Sequence, residues 1–360
     1  MAATEYSIDQ EIQNLFDQTT ATRSACDTFA REQLGGDIVP VTIQGVCSYT
    51  VIAGPKGEFI AQFRLECFQL NIDIMKLAET IYGNLVPKVT YRGQIGEDTT
   101  ATATETKRPL HIYIMSRIQG ISYLDFILAH NGQFSENSPE FFAWRRNFVA
   151  DVARFFARSW KAPQENTVDE TYKQTLHQSY KKDLDLLLTS LPPRFTPIIQ
   201  STLTAFPSIP SIPSLPLVLV HKDFGACNIL VTETTCNLVG VVDWAEAEIA
   251  PFGINLYSHQ RLISKVDFRT GWVRFDDYAE CEDVFWGTFR EEVGGGGDEV
   301  IGAIMAARVL GALLDCGFTS RLGNVSEPVP IREDDEVGRY NVRDLDGLLV
   351  NTGTRFLGLV

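Results

Sequence analysis

The sequence predicts an α+β protein in two parts, a small lobe of antiparallel strands and helices followed by a larger, mainly helical one. Three observations predict it. Short apolar runs punctuated by glycine turns crowd into residues 39–115 and recur at 217–244. Helical periodicity dominates beyond Gly120. The composition, 44% apolar and 21% charged over 360 residues, is that of a globular chain long enough for two or three domains and for a core that needs no disulfide staple.

Residues 7–34 read as one helix, from Ser7 as N-cap to a stop at Gly35-Gly36. Strands are expected at Val39–Ile43, Tyr49–Ala53 and Phe59–Phe63, separated by Gly45 and by the Gly54-Pro55-Lys56-Gly57 turn. Leu70, Ile74, Leu77, Ala78 and Ile81 share one helical face, and that helix ends at Gly83 with Pro87 beyond. Two more strands follow near Lys88–Arg92 and Leu110–Met115, joined by a polar, Thr-rich surface loop over 97–107. The first lobe is thus residues 1–115.

In the second lobe, Ser138-Pro139-Glu140 supplies a cap, a proline for the first turn and an acid at the positive end of the dipole. The helix it opens carries Phe141, Phe148, Val152, Phe155 and Phe156 and is expected deep in the core. Helices follow at 169–190 and 194–206. Residues 206–216, FPSIPSIPSLP, form a loop in which helix is excluded, and it feeds the apolar strand Leu217–Val220. Helices return after Ala279, with Gly294–Gly297 as a joint. Val300–Leu314 contains Arg308 and falls short of the roughly 20 apolar residues a bilayer requires, so it reads as a buried helix. The polar, acidic stretch 326–339 is expected at the surface.

The chain has 31 Lys and Arg against 46 Asp and Glu, a net charge of −15. Nucleic acid and anionic membranes need a basic surplus, so neither is an expected partner. The N-terminal residues lack the basic and apolar regions of a secretory leader. Seven cysteines without a CxxC pair argue against structural zinc or a disulfide framework. A reducing cytoplasm is the expected location.

The segment that carries chemistry is LVLVHKDFGACNILVTETTCNLVGVVDW, residues 217–244. Two apolar strands, Ile229–Val231 and Leu238–Val242, flank a polar turn and read as a hairpin. Asp223 and Asn228 precede the first strand and Asp243 ends the second, so three oxygen-bearing side chains converge at the open end. Carboxylate and amide oxygens at Asn228 and Asp243 suit magnesium, which takes its remaining ligands from water and phosphate. Asp223 is placed to accept a proton from an attacking hydroxyl. Each residue alone is more often a turn former; the whole string, H-x-D-x-x-x-x-N, hairpin and V-V-D-W in order, is what points to phosphoryl transfer.

That string resembles the catalytic loop and metal-binding step of kinases. With VTIQGVCSYTV (41–51), FIAQFR (59–64), IYIMSRIQGISYLDF (112–126) and DWAEAE…PFGINLY (243–257), the chain resembles the aminoglycoside phosphotransferase and choline kinase-like family, in its fungal small-molecule branch. The resemblance spans roughly residues 35–290. It implies a two-lobed protein-kinase-like fold with ATP and magnesium as cofactors, a hinge at about 112–120, and a helical lobe over 121–360 that binds the acceptor. Asp223 would be the catalytic base, and Asn228 and Asp243 the metal ligands. Met115, Ser116 and Ile118 would form the hinge, with Ser116 and Ile118 offering backbone groups to adenine.

The small lobe departs from the family pattern. The loop expected over the phosphates, Gln44–Tyr49, has one glycine, Gly45, with Ser48 as a possible donor. The strand Phe59–Arg64 lacks the usual lysine. Gln62 and Arg64 lie on the same face of that strand, and Arg64, which keeps the charge, is favoured as the substitute. At about 100° per residue Asp73 flanks the apolar face of the next helix while Glu79 points to solvent, so Asp73 is the expected acid partner. Asn255 stands where a second aspartate is common. Only Trp244–Ala250 separate Asp243 from Pro251, which favours a small-molecule hydroxyl acceptor over a protein. Glu246, Glu248, Asp276 and Asp277 are the acids expected to draw in a cationic acceptor. The departures also keep open a pseudokinase, binding nucleotide or nothing and serving as an interaction module, and an enzyme reusing the fold for non-phosphoryl chemistry.

Overall fold

The computed structural model describes residues 6–97, 107–164, 168–208, 215–267, 269, 271–295, 297–319, 329–334 and 336–356. The body of the Thr-rich loop (98–106), the middle of the Pro/Ser loop (209–214), Gly296 of the glycine joint, and residues 326–328 and 335 of the acidic stretch lie outside them. The chain divides into two units. Met1–Gln119 with Gly240–Ala245 form the first, and Gly120–Val239 with Glu246–Val360 form the second.

The first unit begins with two helices, α1 (Ile8–Phe16) and α2 (Arg23–Leu34), where one was expected. No glycine or proline marks the break. Instead Thr19 donates its hydroxyl to the Arg108 carbonyl at 2.6 Å, and Thr22 caps α2 by accepting from Ala25 N–H. Side-chain oxygens of threonine compete here with the helix for backbone partners. The strands are β1 (Val39–Pro40), β2 (Ser48–Ala53), β3 (Phe59–Arg64), β4 (Val89–Ile95) and β5 (Leu110–Ser116), in the antiparallel order β1-β2-β3-β5-β4. Register divides the sheet into two faces. Tyr49, Val51, Ala61, Phe63, Ile112 and Ile114 lie on one and pack with Ile12, Leu15, Cys26 and Ala30 of the first two helices. Ser48, Thr50, Ile52, Ile60, Gln62, Arg64, His111, Tyr113 and Met115 lie on the other.

The segment leading into α3 (Ile72–Tyr82) covers one end of that second face, where Leu70 N–H donates to the Tyr113 hydroxyl at 3.1 Å. Asn71 caps α3 through its side-chain oxygen. The residues α3 buries are Met75, Ala78 and Tyr82, so its inward stripe is rotated from the expected one; Ile74, Leu77 and Ile81 are half-buried.

The second unit opens with β6 (Ile121–Ser122) and α4 (Tyr123–His130), followed by the long helices α5 (Pro139–Trp160), α6 (Glu170–Ser190) and α7 (Thr196–Ser208). Ser138 caps α5 and Pro139 occupies its first turn. Strand β7 (Leu217–Val220) pairs antiparallel with β10 (Glu248–Pro251); β8 (Ile229–Val231) and β9 (Leu238–Val241, its last two residues counted in the first unit) form the hairpin, with β6 alongside β8. Then come α8 (Tyr257–Leu262), the hairpin β11 (Ser264–Asp267) and β12 (Gly271–Arg274), and helices α9 (Tyr278–Val293), α10 (Asp298–Cys316) and α11 (Glu336–Leu345), the last running into a π-helical turn, Asp346–Val350. The short elements β6, α4, β10, α8, β11 and β12 have too few residues to show a period in sequence.

Aromatic rings fill the core of this unit. Phe155 and Phe156 of α5 pack on Phe224, and Phe156 also meets Phe252 and Phe285. Each fully buried phenylalanine is worth about 1.5–3 kcal/mol relative to exposure. Helix α10 is buried as expected, and one glycine in it has a steric cause. A Cβ at Gly311 would lie 1.5 Å from the Ile254 carbonyl oxygen, so α10 touches the 251–256 segment backbone to backbone. Among the described residues no helix is long and apolar enough to cross a membrane.

Candidate active site

In the second unit, β7 ends at Val220 and the chain turns through His221-Lys222-Asp223 before entering β8. The turn is anchored on both sides of Asp223. His221 is 1% exposed, and its carbonyl accepts from the amide of Asn255, itself buried, at 3.1 Å. Phe224 is 2% exposed and stacks on Phe155 at 5.0 Å. Asp223 between them is exposed to solvent. Asn228 closes the loop, its Nδ2 donating to the Asp223 carbonyl at 2.9 Å and to Asp223 Oδ2 at 2.8 Å. That orientation leaves Asp223 Oδ1 outside the Asn228 hydrogen bonds and turns Asn228 Oδ1, an acceptor, away from Asp223. Partial burial and then the charges of Asp223 and Asp125 hold the Cys227 thiol above its ordinary value, which places both acids in the field of this loop. Asp125 was not foreseen; its signal was the Ser122-x-x-Asp125 cap, whose helix N-terminus meets the loop through Leu124 N–H and the Ala226 carbonyl at 3.0 Å.

Asp243 belongs to the first unit and has a backbone φ of +60°, one of two non-glycine residues in the left-handed region among those described. Side chains disfavour that region, and such residues concentrate at functional sites. Asp243 is exposed, while its neighbour Trp244 is 2% exposed and donates its indole N–H to the Val241 carbonyl at 2.9 Å.

The second face of the five-stranded sheet holds four of the predicted nucleotide contacts in register. Ser48 pairs with Arg64, Thr50 with Gln62, and Ile60 with Met115. Ile52, Ile60 and Met115 make a half-buried apolar strip beside the polar Thr50–Gln62 pair. Ile52 and Ile60 were missed in sequence, although strand alternation marks them, Ile52 from Ser48 and Ile60 from Gln62. Farther along, buried His111 contacts the Tyr91 hydroxyl at 3.1 Å through Nδ1 and the Gln94 amide at 3.0 Å through Nε2. The amide nitrogen can only donate, so Nε2 accepts and the neutral ring carries its proton on Nδ1.

Several expectations change. Arg64 is 4% exposed, its Nε donating to the Phe68 carbonyl at 2.6 Å and its Nη1 to Gln62 Oε1 at 2.8 Å. It sits under the segment before α3 and secures Gln62 rather than reaching into solvent. Gln62 passes the polarity on, donating from Nε2 to Thr50 Oγ1 at 3.2 Å. Asp73 is not its acid partner. Its side chain is 94% exposed and lies 3.7 Å from Lys76, whereas Glu79 is 40% exposed and lies 3.7 Å from Lys88. The rotation of the buried stripe of α3 exchanges the environments expected for the two acids.

Ser116 does not present its N–H, which donates to the Lys88 carbonyl at 3.0 Å, while Arg117 N–H donates to the Glu58 carbonyl at 2.8 Å. Ile118 packs its side chain where a Cβ on Gly240 would lie, 2.7 Å from its Cδ1. Gly45 is exposed, has no positive φ, and has open space where a Cβ would stand. Its loop is set by the buried Gln44, which bonds the Val41 carbonyl and both backbone groups of Thr50. Ser48 is buried, with its hydroxyl 3.3 Å from Thr50 Oγ1.

Among the acids expected to attract an acceptor, Glu246 is exposed, Glu248 faces Lys222 at 3.5 Å, and Asp277 is buried against Arg145 at 2.9 Å. Asp277 is therefore withdrawn from that role. Among the described residues no three His, Cys, Asp or Glu group into a self-sufficient metal cage. The exposed Asp243 carboxylate and the Asn228 amide oxygen are each, taken singly, of the oxygen type that suits magnesium, a hard ion that takes its remaining ligands from phosphate and water.

The sequence model of the phosphotransferase enzyme family matches residues 86–280, more than half of the chain. Among solved structures, one from Ralstonia eutropha JMP134, designated an aminoglycoside phosphotransferase, aligns with a TM-score of 0.52 at 13% identity, over 82% of this chain and 88% of that one. The GDP complex of aminoglycoside 2'-phosphotransferase-IIIa aligns with a TM-score of 0.49 at 12% identity, over 80% and 87%. The ADP-bound aminoglycoside phosphotransferase APH(2'')-Ib aligns with a TM-score of 0.42 at 13% identity, over 81% and 99%. No curated protein matches the sequence. The fold is the two-lobed, kinase-like one, with a small antiparallel-sheet unit and a larger helical unit, and the chain belongs to the phosphotransferase enzyme family.

Proposed function

We propose that this protein is an ATP- and magnesium-dependent phosphotransferase acting on a hydroxyl of a small molecule, with Asp223 as the base. The observation that carries the reading is the catalytic loop. An exposed carboxylate is held by the Asn228 amide on one oxygen, over a loop pinned by buried His221, Phe224 and Asn255. Such a carboxylate accepts the hydrogen bond of an acceptor hydroxyl and orients its oxygen toward the γ-phosphorus. As the new P–O bond forms, the bond to the β–γ bridging oxygen breaks, ADP departs, and the proton passes to Asp223. Positioning and charge neutralisation supply most of the acceleration in such transfers.

Asn228 Oδ1 and the Asp243 carboxylate would hold magnesium. When bound, the metal neutralises the phosphate oxygens. Ile52, Ile60 and Met115 offer an apolar surface for the purine. Gln62 offers an amide N–H for phosphate, with Arg64 behind it; Ser48, 6% exposed and turned to Thr50, is withdrawn from that role. Among the acids, Glu246 is retained for a cationic acceptor. The expected location is the cytoplasm.

Asp243→Ala is expected to abolish MgATP-dependent turnover, and Asp223→Asn to lower kcat by about 10²–10⁴-fold. The assay is ADP release across a panel of hydroxylated and amine-bearing metabolites. Full activity in either variant refutes the assignment. The burial of Arg64 favours one rival, a pseudokinase; no thermal shift of the folded protein at millimolar MgATP, with no ADP release for any acceptor, would favour it.

A further inference from the structure

We propose that Trp244 and Tyr82 are a positioning pair that sets the Asp243 carboxylate for its metal. The proposal rests on the phosphotransferase reading above and extends it to two buried residues outside the set assigned to nucleotide, metal and acceptor. A φ of +60° at Asp243 is a conformation that an L side chain resists, because its Cβ crowds the backbone carbonyl. An exposed residue held there needs a restraint from its neighbours.

The structure supplies two restraints in series. The indole N–H of Trp244 reaches back to the Val241 carbonyl at 2.9 Å, closing a clip around Val242 and Asp243. The ring that carries this N–H lies against Tyr82, with centroids 5.1 Å apart and planes inclined at 44°. Tyr82 is 1% exposed and is the last residue of α3, ahead of Gly83 at a φ of +61°. The end of α3 therefore fixes the indole, the indole fixes the turn, and the turn presents the carboxylate.

The two restraints can be separated. Trp244→Phe keeps an aromatic ring against Tyr82 and removes the clip, since a phenyl ring carries no N–H. Alanine at 82 keeps the clip and removes the ring that supports it. Groups that orient a metal ligand typically account for about 10–100-fold of metal affinity.

The test is calorimetric binding of ADP with and without Mg²⁺, alongside the KM and kcat for MgATP. In the wild-type chain Mg²⁺ is expected to tighten ADP binding. In Trp244→Phe and Tyr82→Ala this gain is expected to fall about tenfold or more while metal-free ADP binding stays within about twofold of wild type. A merely structural loss would weaken both measurements together. Loss of the Mg²⁺ gain in either folded variant supports the pair; a wild-type gain in every variant that folds overturns it. If the wild-type chain itself shows no Mg²⁺-dependent ADP binding, the phosphotransferase reading falls, and that outcome is visible before any variant is compared.

Discussion

Asp277 is the residue on which sequence and structure disagree most, and its substitution has a calculable outcome. The side chains of Arg145 and Asp277 are 3% and 4% exposed. Arg145 Nε lies 2.9 Å from both carboxylate oxygens, and its guanidinium stands 4.3 Å from the centroid of the Phe275 ring. The pair joins α5 to the start of α9. Removing one member leaves the other charged, dry and unmatched, which costs about 3–5 kcal/mol. With a urea m-value near 2.5 kcal/mol/M, Asp277→Ala should lower the unfolding midpoint by roughly 1.2–2 M. Replacing both with apolar residues, Arg145→Met with Asp277→Leu, removes the unpaired charge and should recover at least half of the loss. The assay is urea unfolding followed by far-UV circular dichroism. A cost below about 1 kcal/mol for Asp277→Ala would be that of an exposed, solvated acid and would refute the reasoning. It would also restore Asp277 as a candidate for acceptor steering.

Two further predictions test the frame around the site. Gly311→Ala should destabilise the fold by about 3 kcal/mol or more, because its Cβ would meet the Ile254 carbonyl at 1.5 Å. Gly302→Ala, with open space at its Cβ, should be neutral or stabilising by up to about 1 kcal/mol; thermal melts of the two variants should separate cleanly. Burial lowers the pKa of His111, with the negative charge of Glu66 opposing in part. A depressed imidazole means that the unfolded chain takes up its proton first as pH falls. The contribution of His111 to stability is therefore complete above the ordinary histidine range near 6.5 and is lost as pH falls through the folded value. Nuclear magnetic resonance should find the His111 ring still neutral at a pH where an exposed imidazole is half protonated, and titration at or above the ordinary value would refute this.

Much of the candidate site was legible because its residues are local in sequence. His221, Asp223 and Asn228 lie within eight residues, and a hairpin carries the chain to Asp243. Their order and spacing pointed to phosphoryl transfer before any contact was known. What could not be read were pairings between distant segments. Arg64 seemed free to grip phosphate because nothing in FIAQFR indicates that the Phe68 carbonyl will cover it. Asp277 seemed exposed because Arg145 is 132 residues away. Asp73 and Glu79 exchanged environments because the stripe of α3 is set by what packs on it, which a half-turn of ambiguous apolar residues does not specify.

By itself, the sequence determined the α+β class, the division into a sheet-bearing unit and a helical one, the capped start of α5, and the hairpin that runs on from Asn228 to Asp243, since each follows from periodicity, capping or fixed spacing along the chain. Only the tertiary structure decided which charges are available for chemistry. A charge is withdrawn or offered by burial and by partners far away in sequence: Arg64 and Asp277 are withdrawn by Phe68 and Arg145, and Asp243 is offered by a turn that Trp244 clips and Tyr82 supports.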